Sequence, residues 1–110
     1  MANSREKGKR GEREVASILS QYGYDARRGV QYKGSPDSPD VIGLPHIHIE
    51  VKRTEAFRLM DSYEQSFRDA DENEMPVVIH KRNREPWFIT MTLEDWMKIY
   101  TASDYRHEWR

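Results

Sequence analysis

Between residues 46 and 53 the chain alternates. Ile47, Ile49 and Val51 point one way, and His46, His48, Glu50 and Lys52 point the other. A two-residue period with β-branched residues on one face predicts a half-buried strand. Residues i and i+2 share a face, so Glu50 and Lys52 stand side by side on it. Upstream the period changes. Val15, Ile18, Leu19 and Tyr22 fall at i, i+3, i+4 and i+7 and predict a helix that runs to Tyr22, with Gly23 as its stop signal. Short strands are expected over 24–28 and 40–44, separated by a loop at 29–39 rich in Gly, Pro and Ser. After the strand at 46–53, Ala56, Leu59, Met60, Tyr63, Phe67 and Ala70 keep helical spacing over 55–71, with charged residues on the opposite face. Residues 77–79 read as a buried strand, 81–85 as a polar hairpin loop and 86–91 as a fifth strand. Thr92, with Asp95 three residues on, resembles a capping box and opens a last helix with Leu93, Trp96, Met97 and Tyr100 on one face. Residues 101–110 are a polar tail. The order α-β-β-β-α-β-β-α predicts an α/β fold of mixed α+β type: a central mixed five-stranded sheet flanked by helices.

Length allows one domain over 1–110, with a modest core. The absence of cysteine excludes disulfides, thiolate metal sites and cysteine nucleophiles. No apolar run approaches the ~18 residues of a membrane span and no signal-peptide pattern opens the chain, so a soluble, cytoplasmic protein is expected. The net charge of −1 is unevenly spread. Residues 1–53 carry ten Lys/Arg against seven Asp/Glu, and residues 54–110 carry eight against twelve. The basic half is the half that holds Glu50 and Lys52, which suits a polyanionic ligand there.

The candidate chemistry is a convergence of acids on one lysine. Asp40 leads into Val41-Ile42, where a strand can fix it; Asp37, in the preceding Ser-Pro-Asp, is the rival. On the first helix, taking Val15 as the reference, Gly8, Gly11 and Glu12 project towards the apolar stripe, while Glu14 lies about 100° away. Glu12 is therefore the better placed helix acid, with Glu14 as the alternative, and the two glycines suit a close approach to that backbone. Glu12, Asp40 and Glu50, with the carbonyl of Val51, are oxygen donors suited to Mg²⁺ or Mn²⁺. Asp40 and Glu50 are expected about 4–6 Å apart, with Lys52 beside them. Such a metal activates water and neutralises phosphate charge, and Lys52 stabilises developing negative charge. Lys7, Lys9, Arg10, Arg13, Arg27, Arg28, Lys33 and Arg53 are candidates for DNA phosphate contacts. His48 shares the Glu50 face, but a packed histidine is its simpler reading. His46, His80 and His107 show no metal-ligand spacing.

Pro39-Asp40, nine residues and then Glu50-Val51-Lys52 is similar to the core motif of PD-(D/E)XK nucleases. The stretch Lys7-Gly8-Lys9-Arg10-Gly11-Glu12-Arg13-Glu14-Val15 resembles the first helix of the archaeal Holliday junction resolvases, in which a glycine precedes the helix glutamate by four. The resemblance covers roughly residues 7–91. It implies a restriction-endonuclease-like fold, Mg²⁺, catalytic roles for Glu12, Asp40, Glu50 and Lys52, and a homodimer acting on branched DNA in recombination or repair. Compact phage and prophage nucleases also look like this. The chain departs from the resolvases in its near-neutral charge and its acidic second helix. Two alternatives stand beside this reading: a repair or restriction-type nuclease on linear or flap DNA, and a non-catalytic nucleic-acid-binding module with the same fold. Symmetric cutting of two strands needs two sites, most simply from a C2 pair. Trp96, Tyr100, Tyr105 and Trp109 are the aromatics available for such an interface.

Overall fold

A computed structural model describes residues 4–29 and 38–107. Lys33, Asp37 and Trp109 lie outside the described residues. Helix α1 (Ser4–Gln21) leads to strands β1 (Arg27–Arg28), β2 (Val41–Ile42) and β3 (Ile47–Arg53). Helix α2 (Leu59–Asp69) connects β3 to β4 (Met75–Lys81), and β5 (Phe88–Thr90) precedes α3 (Leu93–Ala102) and a 3-10 turn (Asp104–Arg106). The five strands form one sheet in the order β1-β2-β3-β4-β5. Only β3 and β4 are parallel; the other neighbours are antiparallel.

The strand ends follow from who pairs with whom. β4 has a partner on each side and bonds along all seven residues of β3, so it extends well beyond its apolar run 77–79. β1, β2 and β5 are shorter than the expected 24–28, 40–44 and 86–91. The hairpin from β2 to β3 closes at once, through Gly43 (φ 125°) and His46 (φ 69°), with Ile47 N–H donating to the Leu44 carbonyl at 3.2 Å. α2 starts at Leu59 rather than 55, because residues 54–58 carry the chain off the end of β3.

One face of the sheet carries Val41, Ile49, Val51, Val77 and Ile79 and packs on Val15 and Ala16 of α1. The other face, against α2, differs from the half-buried surface that the alternation predicts. His48 and Glu50 are 1% and 3% exposed, so the polar side of β3 is interior. α2 approaches closely because the residues it buries are small: Ser62 and Ser66 rather than its apolar stripe, whose Met60 and Phe67 are exposed. The Ser66 hydroxyl donates to the carbonyls of His48 (3.3 Å) and Val77 (3.1 Å), tying the helix to both parallel strands. Tyr22, expected on the buried stripe of α1, is 76% exposed. α3 is capped as expected, Thr92 Oγ1 accepting from Asp95 N–H at 3.1 Å, but Leu93, Trp96 and Met97 remain exposed.

Ser66→Leu should force α2 off the sheet and cost about 2 kcal/mol or more, whereas Tyr22→Ala should change stability by less than about 0.5 kcal/mol. Urea unfolding of the two variants measures both.

Candidate active site

The β2–β3 register sets the geometry. Val41 lies opposite Ile49. In an antiparallel pair the next residues out, Asp40 and Glu50, then face each other and point to the same side of the sheet. All three polar groups of Asp40 are engaged in holding it there. Its N–H donates to the Ile49 carbonyl (2.8 Å), its carbonyl accepts from Gly29 N–H (3.0 Å), and its Oδ2 accepts from Val51 N–H (2.8 Å). Gly29 is required for this approach: a Cβ there would overlap the Pro39 carbonyl oxygen.

β2 begins at Val41, so the strand pairing on that side of β3 stops and a cleft opens beside Val51–Arg53. It has a volume of about 300 Å³ and is lined by Gly8, Glu12, Asp40, Glu50, Val51, Lys52, Arg53, Thr54 and Gln65. The four residues expected to carry the chemistry therefore line one cleft. Glu14 does not line it; Glu14 Oε1 instead accepts from Trp87 Nε1 at 2.8 Å and lies 3.9 Å from Lys81 Nζ. Of the two glycines on α1, Gly11 makes the close approach, since a Cβ there would stand 3.0 Å from Arg53 Cβ. Gly8 opens directly onto the cleft. Gln65 and Thr54 were not singled out by sequence. Gln65 lies one turn from the inward-facing Ser62, and counting small residues as the buried face of α2 would have found it.

The electrostatics are those of a site short of positive charge. Burial, the charge of Glu50 and a hydrogen bond shared with Glu50 push Asp40 up to about 8; the Val51 N–H pulls it back, and Glu12 adds to the rise. Arg28 is bound to Glu12 (Nε to Oε1, 2.9 Å). Among the described residues no ion pair joins Asp40 or Glu50 to a lysine or arginine. Behind Glu50 lies His48, which the simpler sequence reading treated as packing. Its Nε2 is 3.3 Å from Glu50 Oε1 and its Nδ1 is 3.5 Å from Glu74 Oε1. Burial lowers its pKa, but the hydrogen bond to Glu50 and the fields of Glu50, Glu74 and Asp69 outweigh burial and raise it. His48, Glu50 and Asp69 offer donor atoms within 4.8 Å of one another, a second group with the chemistry of a metal site.

The basic residues are distributed around this end. Arg13, Arg27 and Arg28 line a groove between α1 and β1. Arg10 is exposed, Lys9 lies 3.9 Å from Glu6, and Arg27 lies 3.6 Å from Asp25. Arg53 lines the cleft with its Nε buried and lacking a hydrogen-bond partner.

The model of the family described as "Phage putative PDDEXK endonuclease" matches residues 3–109. The chain belongs to this PDDEXK endonuclease family. Among solved structures, the PDDEXK chain is similar to Hjc of Archaeoglobus fulgidus, a Holliday junction resolvase from an archaeal hyperthermophile. The identity is 26% and the TM-score 0.59, over 77% of this chain and 72% of that one. The mixed sheet and its flanking helices are those of a restriction-endonuclease-like resolvase fold. No curated protein matches. Among the described residues of this PDDEXK chain, no helix is long and apolar enough to cross a membrane.

A carboxyl group raised on folding stabilises the protein most below its unfolded pKa, and that contribution is lost as pH rises through the folded value. Asp40 sets the window at about 4 to 8, and the raised His48 acts in the same direction above its ordinary 6.5. Metal-free protein should therefore show a falling Tm from pH 5 to pH 8. Asp40→Asn should flatten the fall, and Mn²⁺ should raise Tm more at pH 8 than at pH 5, because metal binds the deprotonated acids. Scanning calorimetry across this range is the check.

Proposed function

We propose that this chain is one nuclease domain that hydrolyses DNA phosphodiester bonds with Mg²⁺ or Mn²⁺, selectively on branched DNA. The observation that carries the reading is the sharing of one cleft by Glu12, Asp40, Glu50 and Lys52. The donor set fits a hard dication. Two carboxylates oppose each other across β2 and β3, and burial, together with the charge of Glu50, pushes the Asp40 pKa up to about 8. Asp40, Glu50 and the Val51 carbonyl would hold the cation, with Glu12 at the margin. When bound, such a cation lowers the pKa of water and offsets phosphate charge.

The chain's own groups do the rest. His48 holds one oxygen of Glu50, which leaves the other for the cleft. The Val51 N–H fixes Asp40 Oδ2 and so orients that carboxylate. Lys52 Nζ donates to the phosphate oxygen that gains charge in the transition state, or orients the attacking water. Arg10, Arg13, Arg53 and their neighbours position the backbone without reading bases.

The preference for branched DNA rests on the likeness to a protein described as a Holliday junction resolvase. The family description favours a phage-encoded nuclease, and a DNA substrate fits action in the cytoplasm. The active species is a homodimer, since one chain offers one cleft and symmetric cutting requires two. The exposed face of α3, where Trp96 stacks on Tyr100 at 5.0 Å, is the apolar surface that a second copy would cover.

Asp40→Asn, Glu50→Gln and Lys52→Ala should each reduce cleavage by on the order of 10³-fold or more. The two acid variants should bind DNA as well as the native protein, or better, because a negative charge beside phosphate is gone. Cleavage with Mg²⁺ on four-way, flap, single-stranded and linear DNAs tests this. Preference for linear or flap DNA would indicate a repair or restriction-type enzyme, and binding without cleavage would indicate a non-catalytic module. Sedimentation should give a species of twice the 13.1 kDa chain mass; a strict monomer, free and with junction DNA, would rule out the dimer.

A further inference from the structure

β3 and β4 run in one direction and both end in basic residues at the cleft end of the sheet, Lys52-Arg53 and His80-Lys81, continuing to Arg82, while Arg27-Arg28 of β1 lie further back, Arg28 being level with Ile49 of β3. Lys52 lies opposite His80 and Arg53 opposite Lys81, so the β4–β5 turn leaves the sheet one strand spacing from the cleft. That spacing is about 4.8 Å. Arg82 and Arg84 on this turn are exposed, and among the described residues neither pairs with a carboxylate.

The turn is held, not loose. On the α1 side Trp87 Nε1 donates to Glu14, and Lys81 Nζ sits 5.7 Å from the Trp87 ring centroid. On the other side Asn83 N–H donates to Glu55 Oε2. At its base His80 stacks on Phe57 (4.7 Å) and on Phe88 (6.1 Å). Arg84 itself has φ 64°, a backbone state uncommon for a residue other than glycine. A turn that served merely to join two strands needs none of these anchors. The backbone of the turn is thus fixed, and it presents two exposed guanidiniums to an anion from a held base, which lowers the ordering cost of binding.

We propose that the β4–β5 turn is a second DNA-backbone contact, in which Arg82 and Arg84 grip phosphates of the arm on the β4 side of the cleft. The α1 and β1 basic residues hold the arm on the other side. β1 and β4 are three strand spacings apart, about 14 Å, and the β1 grip is set back along the strands as well, since Arg28 is level with Val77 whereas Arg82 follows the end of β4. The scissile phosphate lies between the two grips. This assignment rests on the nuclease reading, since it takes the bound polyanion to be DNA.

The test is anisotropy titration of a fluorescent four-way junction and a linear duplex in EDTA, where no cleavage occurs, at several salt concentrations. Each lost phosphate contact should reduce the slope of log K against log salt by about 0.9. The Arg82→Ala/Arg84→Ala double variant should lose about two units of slope, and Arg82→Lys/Arg84→Lys should keep most of it. Arg68→Ala, an exposed arginine in the last turn of α2, should change nothing. Circular dichroism and Tm verify that each variant is folded. An unchanged slope in the folded double-alanine variant, with or without weaker binding, would overturn the turn's role and leave the nuclease reading standing. Failure of the native protein to bind any of the DNAs would overturn both.

Discussion

Asp40 is held by its own backbone and side chain to three segments at once: Gly29, Ile49 and Val51. The cleft depends on this clamp. Without it, the start of β2 has nothing to fix it beside β3, and the Val51 N–H, next to the point where strand pairing stops, loses its acceptor. With it, a carboxylate is placed opposite Glu50 in an arrangement that costs stability, because like charges directly across a strand pair repel. The fold accepts that cost at one place, and burial first, then the charge of Glu50, raise the Asp40 pKa there. Such a local conflict within an otherwise consistent structure is the mark of a functional site.

The interior behind Glu50 is built to the same end. A central strand whose polar face is buried requires a partner for every polar group. His48 supplies one by spanning Glu50 and Glu74, and Ser66 supplies another by bonding to carbonyls of both parallel strands. α2 can sit this close because it buries two serines and leaves Met60 and Phe67 outside. The helix thus gives up apolar burial for a rigid support under Glu50. The exposed apolar faces of α2 and α3 are the counterpart of this choice.

Much of the site was legible in the sequence because it is local. The alternation of Ile47, Ile49 and Val51 fixes Glu50 and Lys52 on one face, and the short hairpin from β2 to β3 brings Asp40 opposite Glu50. Glu12 followed from the helical phase relative to Val15, and the same phase put Glu14 elsewhere, where Trp87 and Lys81 now engage it. What escaped depends on contacts distant in sequence. The burial of His48 is decided by α2 and Glu74, which no periodicity in β3 reveals. The length of β4 is set by pairing with β3, not by its own three apolar residues. The apolar stripes of α2 and α3 predicted helices correctly but misjudged which faces are covered, since a stripe states what can be buried and not what packs against it.

The central claim is that Asp40 and Glu50 share a divalent cation at the cleft. The most direct measurement is anomalous X-ray scattering from crystals of the protein soaked in Mn²⁺, with Asp40→Asn crystals soaked alongside. The account predicts a manganese peak at the Asp40 and Glu50 carboxylates in the native protein and its loss in the variant. A peak confined to the His48, Glu50 and Asp69 group, unchanged by Asp40→Asn, would contradict it.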